Sequence, residues 1–327
     1  MAAFEQLLTT LADIVATVSA HTSTFMSLDA FLGAIEIGLI YSLVALGVFI
    51  SFRLLRFPDL TVDGSFTLGA AVTALLIVEH GVNPFAATAA GAFAGFCAGL
   101  VTATLSVKFR IMDLLASILV MTGLYSVNLR VMGKPNIPLF ADPTFFDSLP
   151  FFNSGSILTN AVIMLLVVTL VKLIMDWFFS TEMGLSIRAT GTNARMARAQ
   201  GVATGRMMML GLALSNSLVG LAGALFAQSQ GGADASMGIG TIVIGLAAVI
   251  VGERIIPARS IFWTTLAVVV GAVLYRLFIA VALQADSIGL QAQDLNLITA
   301  LLVTLVLIFP LILNFGSKFL RRMSSHA

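Results

Sequence analysis

Residues 52–71 read FRLLRFPDLTVDGSFTLGAA, a charged stretch broken by proline and glycine and set between two apolar runs. Arg53 and Arg56 precede Pro58, Asp59 and Asp63 follow it, and Gly64 and Ser65 open into the next run. Three readings compete: a plain loop, a half-membrane element that interrupts a helix, or a carboxylate site for chemistry. Hydrophobic residues make up 59% of the 327-residue chain and charged residues only 10%, against roughly 25% charged in soluble proteins. Mean hydropathy is +1.04. Most of the surface must therefore face lipid. The alternating polarity of a membrane barrel is absent, so the composition predicts an all-α, polytopic integral membrane protein.

A spanning helix needs about 20 mainly apolar residues. Candidate spans cover residues 31–51, 64–80, 84–107, 113–133, 156–179, 205–228, 239–253, 261–283 and 295–315, about nine transmembrane helices in all. Between residues 4 and 18, Phe4, Leu7, Leu8, Leu11, Ile14, Val15 and Val18 follow helical spacing, with polar residues on the other face. That pattern fits an amphipathic helix lying at an interface; taken as a span, it would make ten. Lys and Arg placement sets orientation. Arg53 and Arg56, Lys108 and Arg110, Arg188 to Arg206, Arg254 and Arg259, and Lys318 to Arg322 fall on every second connection. The N-terminus is accordingly expected outside and the C-terminus in the cytoplasm. This divides the chain into an extracytoplasmic segment (1–30), a transmembrane domain (31–315) with a cytoplasmic loop (180–205), and a basic tail (316–327).

Residues 38–78 and 211–251 echo one another: a Gly-rich span, a polar break with aspartate (Asp59 and Asp63, then Asp234), and a short Gly-rich span. With the assigned orientation the two copies run in opposite directions, giving an inverted-topology repeat with broken helices, as in many transporters. Irregular backbone survives at membrane depth only where protein or a wet cavity satisfies it, so both breaks are candidates to line a pathway. Gly91, Gly95 and Gly99 form overlapping G-x-x-x-G units, read as helix packing within one subunit rather than a dimer seam.

Pathway candidates are Glu36, Asp59, Asp63, Ser65, Asn128, Ser215, Asn216 and Asp234, with Arg130, Ser217, Gln228 and Gln230 nearby. Each has a plainer alternative. Asp63 is placed to cap the second span, Asp59 to pair with Arg53 or Arg56, and the Ser and Asn side chains to bond neighbouring helices. Arg276, inside the eighth span, is expected to snorkel, pair with Glu36 or Asp286, or face the pathway. A single cysteine, Cys97, and three scattered histidines offer no metal set, and the net charge of +1 names no nucleic-acid partner. No cofactor is expected.

The loop holds a short helix-compatible run, Thr192–Gln200, between Gly191 and Gly201, with a small apolar face from Ala194, Met196, Ala197 and Ala199. Thr192 or Asn193 would cap its start and Gly201 its end. It is either a docking helix or a solvated basic loop. The layout GLSIRATGTNARMARAQGV (184–202) resembles the coupling loop of ABC-importer permeases of the branched-chain amino acid and sugar class. The chain is most similar to a permease family of tryptophan/tyrosine-type ABC uptake systems. That family carries stretches like RFPDLTVDGSFTLGAA (56–71), AVIVGERIIPARS (248–260) and ADSIGLQAQDLNLITALLV (285–303), and the similarity extends over about residues 31–315. The resemblance implies a permease subunit in the bacterial inner membrane. Its partners would be a second copy, an ATP-binding subunit and an extracytoplasmic solute-binding protein, and its solute an amino acid, aromatic or branched-chain. Gly191, Thr192, Asn193, Ala194, Arg195, Met196, Ala197, Arg198 and Gly201 would dock on the ATPase. The chain has no G-x-x-x-x-G-K-[ST] phosphate loop, so the drive must come from another subunit. Two other classes fit more loosely: an ATP-independent secondary transporter, whose repeats look alike, and a membrane prenyltransferase. The latter needs two facing Asp-rich motifs to hold Mg²⁺ on a diphosphate, and the chain offers one aspartate pair plus Asp234.

Overall fold

A helix bonds its own backbone, which is why apolar runs between charged connections become helices in a bilayer. The computed structural model describes residues 28–140, 142–148, 157–256, 260–283 and 304. Helix α1 (Leu28–Val48) runs into a π-helical turn (Phe49–Leu54) and is followed by α2 (Thr61–Val78), α3 (Pro84–Val107) and α4 (Asp113–Met132). A short strand β1 (Asn136–Pro138) precedes α5 (Ile157–Ser180), α6 (Glu182–Thr192) and α7 (Ala194–Ala199). Then come α8 (Thr204–Ser229), β2 (Gly232–Asp234), α9 (Thr241–Ile255) and α10 (Ile261–Leu283). Among the described residues, 7 helices are long and apolar enough to cross a membrane. The expected segments at 4–18 and 295–315 lie outside the described residues. The expected span at 239–253 is instead the 15-residue helix α9. At 1.5 Å per residue it is about 22 Å long, short of the roughly 30 Å hydrocarbon core. It covers only about three quarters of that depth.

The repeat predicted from the sequence is present in the packing. Helices α1 and α8 lie antiparallel: Glu36 meets Ser229, Tyr41 meets Phe226, and Gly47 meets Ser215. The two units α1–α2–α3 and α8–α9–α10 are therefore inverted relative to each other. Their packing is reciprocal, because α3 lies along α8 while α10 lies along α1, and α2 packs on α8 while α9 packs on α1. The ribbon of β1 and β2, with Asn136 opposite Asp234, ties the end of α4 to the second break.

Small residues set these spacings. A Cβ on Gly95 would overlap the Asn216 carbonyl, one on Gly99 the Leu212 carbonyl, and one on Gly69 the backbone of Gly220. The G-x-x-x-G stripe thus packs α3 on α8 inside one chain, as expected. Helix α5 shows the opposite character: large apolar side chains, Leu165, Leu166, Leu170, Leu173, Ile174 and Trp177, dominate its exposed face, the surface a lipid contact requires. Gly95→Ala should cost about 1–3 kcal/mol by overpacking against backbone. Gly123→Ala, with nothing within 4 Å of the new methyl, should not lower stability; thermal melting of the purified protein in detergent compares the two.

Candidate functional site: the two breaks and the basic loop

The first break begins where α1 tightens into its π turn. The Leu55 amide bonds the Ile50 carbonyl at 3.0 Å and the Phe57 amide bonds the Ser51 carbonyl at 2.8 Å, while Arg56 between them takes φ 56°. The chain then turns back into the bilayer. Gly64, expected to help break the backbone, lies inside α2 instead, and a Cβ there would press on Leu124 of α4. Helix α2 is capped by Asp59, whose Oδ1 accepts from the Thr61 amide at 3.0 Å. Its Oδ2 accepts from Asn216 Nδ2 at 2.7 Å, and Asn216 Oδ1 accepts from the Ser65 hydroxyl at 2.7 Å. Asp59, Ser65 and Asn216 are all 0% exposed. Asp59 therefore does not pair with Arg53 or Arg56, since an amide already within reach inside the bundle satisfies it.

Asp63 caps a different helix from the one expected. Its carboxylate accepts from the Gly240 amide at 3.0 Å and the Ile242 amide at 2.8 Å, the open start of α9. A carboxylate at a helix N-terminus is stabilised by both the free amides and the macrodipole. Thr67 Oγ1 adds a bond from the Gly238 amide at 3.1 Å. The two short helices thus start beside one another and run apart. Asn216 is 12 residues into α8, so the Asp59 bond lies about 18 Å along that helix. That is near mid-membrane.

The second break repeats the local chemistry of the first. Asp234 Oδ1 accepts from the Ser236 amide at 2.7 Å and also from the Ser236 hydroxyl, as Asp59 does from Thr61 two residues on. Asp59 and Asp63 consequently address separate partners rather than one shared face. Among the described residues, no group of 3 or more His, Cys, Asp or Glu is arranged to hold a metal.

The other pathway candidates are also engaged within the bundle. Ser215 donates to the Gly47 carbonyl at 2.7 Å. Glu36, 6% exposed, accepts from Ser229 at 2.6 Å rather than from Arg276. Asn128 donates to the Gly64 carbonyl at 3.2 Å. Gln228 donates to Thr88 and accepts from the Phe145 amide, both at 2.8 Å. Arg53 reaches Glu253 of α9 at 2.7 Å, joining the two inverted units at one end.

Lys172 and Asp176 carry no weight in the sequence reading, yet they form a buried pair at 2.6 Å in α5. Thr265 of α10 donates to the same carboxylate at 2.7 Å, and the lysine lies 3.1 Å over the Phe262 ring. The signal was available as a Lys and an Asp one turn apart inside an apolar run, a spacing that lets each neutralise the other.

In the loop, Asn193 caps α7 through the Met196 amide at 3.1 Å, and Gly201 ends it at φ 84°. That left-handed conformation is one only glycine adopts without strain. Gly191, expected to border the short helical run, is itself helical. It lies within α6, where a Cβ would overlap the Leu54 carbonyl at the end of the π turn. Ile187 joins the same buried cluster as Leu55 and Phe179. The loop is therefore seated backbone-to-backbone on the first break. Ala197 faces inward at 5% exposure, while Met196 is 63% exposed between the exposed Arg195 and Arg198. The outward face is basic with one apolar knob.

Replacing Asn216 by Leu would leave Asp59 Oδ2 and the Ser65 hydroxyl without these partners, a loss of about 1–3 kcal/mol or more. Exchanging the pair (Asp59→Asn with Asn216→Asp) should recover part of the loss seen in each single variant. A double-mutant cycle on thermal stability measures the coupling, and purely additive losses would deny it.

The chain matches the family described as branched-chain amino acid transport system / permease component over residues 31–312. It is 40% identical over 265 residues to the tyrosine transport system permease protein of Clostridioides difficile (strain R20291), covering 81% of this chain and 86% of that protein. It is 30% identical over 200 residues to the galactofuranose transporter permease protein YtfT of Escherichia coli (strain K12), covering 59% and 55%. Among solved structures, PsaBC from Streptococcus pneumoniae in complex with Fab aligns over 89% of this chain and 95% of that one, at 16% identity and a TM-score of 0.47. With inverted units, a basic loop seated on the first break and a family match over most of its length, this chain belongs to the branched-chain amino acid transport system permease family of multi-pass membrane proteins.

Proposed function

We propose that the chain is the translocating subunit of an ABC-type uptake system in the bacterial inner membrane. It works with a second copy of itself, a separate ATP-binding subunit and an extracytoplasmic solute-binding protein. The N-terminal segment (1–30) lies outside, and the loop at 180–205 and the tail at 316–327 lie in the cytoplasm. Its solute is an amino acid, aromatic first, in keeping with the tyrosine permease it resembles. Asp59, Asp63 and Asp234 hold the breaks that flank the route, and Ser65, Asn128, Ser215, Asn216 and Glu36 set their positions.

The observation that carries this reading is the seating of α6 on the π turn at Gly191 and Leu54. A push on α7 has no flexible linker to dissipate it before it reaches the first break. The binding protein delivers solute from outside, and ATP-driven closure of the partner subunits shifts the loop and, through it, the breaks. Only a difference in binding free energy between outward and inward states can move that equilibrium. The buried ionisable pair in α5 is mutually neutralised and bonded to Thr265, which leaves it unsuited to the ion coupling a secondary transporter needs.

Met196→Glu should abolish co-purification of the ATP-binding subunit and stop uptake while leaving the melting temperature of the permease unchanged. Ala197→Glu is the wrong test, since a buried carboxylate there would disturb the loop itself. Retention of both ATPase and uptake in the Met196 variant would overturn the docking assignment.

A further inference from the structure

A guanidinium in the body of a spanning helix needs an anion or water, because bare hydrocarbon is costly for it. Among the described residues, the ion pairs are Arg53–Glu253 and Lys172–Asp176, and no carboxylate pairs with Arg276 of α10. Arg276 stands 15 residues after Ile261, the start of α10, about 22 Å along the helix and about 10 Å from its other end. A lipid-facing arginine at that depth would extend along the helix toward the nearer headgroups. This one turns inward instead. Its Cζ lies 5.9 Å from the centroid of the Tyr41 ring, and Tyr41 is a buried residue stacked on Phe66 at 6.1 Å and edge-on to Phe226 at 5.8 Å. A ring face attracts the cation but accepts none of its five N–H donors in a conventional hydrogen bond.

Gly38 fixes the arrangement. A Cβ there would lie 3.0 Å from the Val273 Cα and 3.3 Å from the Arg276 Cβ, so α1 and α10 close on each other with the guanidinium at their seam. That seam is where the first helix of one inverted unit meets the third helix of the other. A planar fork with several free donors suits an oxyanion held by two parallel hydrogen bonds.

We propose that Arg276 is an anion-receiving group on the solute route, which takes the carboxylate of the transported molecule while Tyr41 backs the cation from the protein side. The proposal rests on the permease reading above and narrows it. Asp286, the other partner expected from the sequence, lies outside the described residues; a carboxylate-bearing solute such as an amino acid supplies a counter-ion that the described residues do not, whereas a neutral sugar does not. An anionic lipid, whose headgroup phosphate has no choline cation to balance it, offers the same oxyanion chemistry, so the experiment must separate the two.

The complete transporter, with its ATP-binding subunit and binding protein, is reconstituted in liposomes of phosphatidylcholine alone and of phosphatidylcholine with phosphatidylglycerol. Uptake of labelled tyrosine is measured at saturating binding protein for the wild type, Arg276→Gln and Arg276→Lys. The glutamine variant should lose at least tenfold in rate in both lipid mixtures while retaining its ATPase, and the lysine variant, which keeps the charge but not the fork, should lose less. Wild-type uptake by Arg276→Gln overturns the proposal. A defect confined to the phosphatidylglycerol liposomes also overturns it, by assigning the guanidinium to lipid. If the glutamine variant does not insert, the lysine variant decides: a rate at least twofold lower with ATPase retained supports the role, and a wild-type rate refutes it. A wild-type assembly that retains no ATPase and moves no tyrosine instead overturns the permease reading, and this proposal with it.

Discussion

Inside a bilayer no water stands in for a missing partner, and each unbonded backbone group costs several kcal/mol. Two helices of this protein, α2 and α9, start inside the bundle, so their open ends must be bonded by protein. They are bonded by each other. Asp59 closes the start of α2 and is itself held by Asn216 of the opposite unit, while Asp63 crosses over to close the start of α9. Neither break is self-sufficient. The inverted pairing of α1 with α8 is what brings each donor to its acceptor.

Such bonds, at 2.7–3.0 Å across helices, are possible only if the backbones come close. Gly95 and Gly99 of α3 face carbonyls of α8 directly, and Gly252 and Gly271 bring α9 and α10 together in the same way. Packing and polar bonding are therefore one device here. Larger residues at these positions would stretch the hydrogen bonds before they created any cavity. The outward surface obeys a different rule, with large apolar side chains dominating the exposed face of α5.

The span positions were legible because charge and hydropathy act locally, and eight expected spans have their helices within a few residues. The inverted repeat was legible too, since Asp59 and Asp234 stand in matching breaks. What the sequence could not show is which helix a carboxylate caps. Asp63 stands two residues from Ser65 and far from Gly240 in the chain, so local capping logic sends it to its own helix, and only the tertiary crossing reveals its real partner. The same limit explains Gly64 and Gly191. Both look like flexible points in a string of letters, and both are close-approach points, because a missing side chain serves either purpose. Lys172 and Asp176 failed for another reason: paired one turn apart, they cancel in a count of charges. The apolar face proposed for α7 was half legible, as composition identified the residues but not that Ala197 turns inward and Met196 out.

The Asp59–Asn216 bond spans 157 positions of the chain. At about 5–20 residues per second of synthesis, the carboxylate emerges on the order of 10–30 s before its amide exists. Throughout that interval the first unit carries a carboxylate oxygen, Asp59 Oδ2, whose amide donor is not yet made, together with α2 and its unfilled glycine grooves. The nascent half-protein cannot settle fully into lipid. It must wait at a hydrated site, such as the insertion machinery or a water defect, until α8 arrives. The order of synthesis and the order of burial are thus opposed in this molecule, and its assembly is governed by the second unit, not the first.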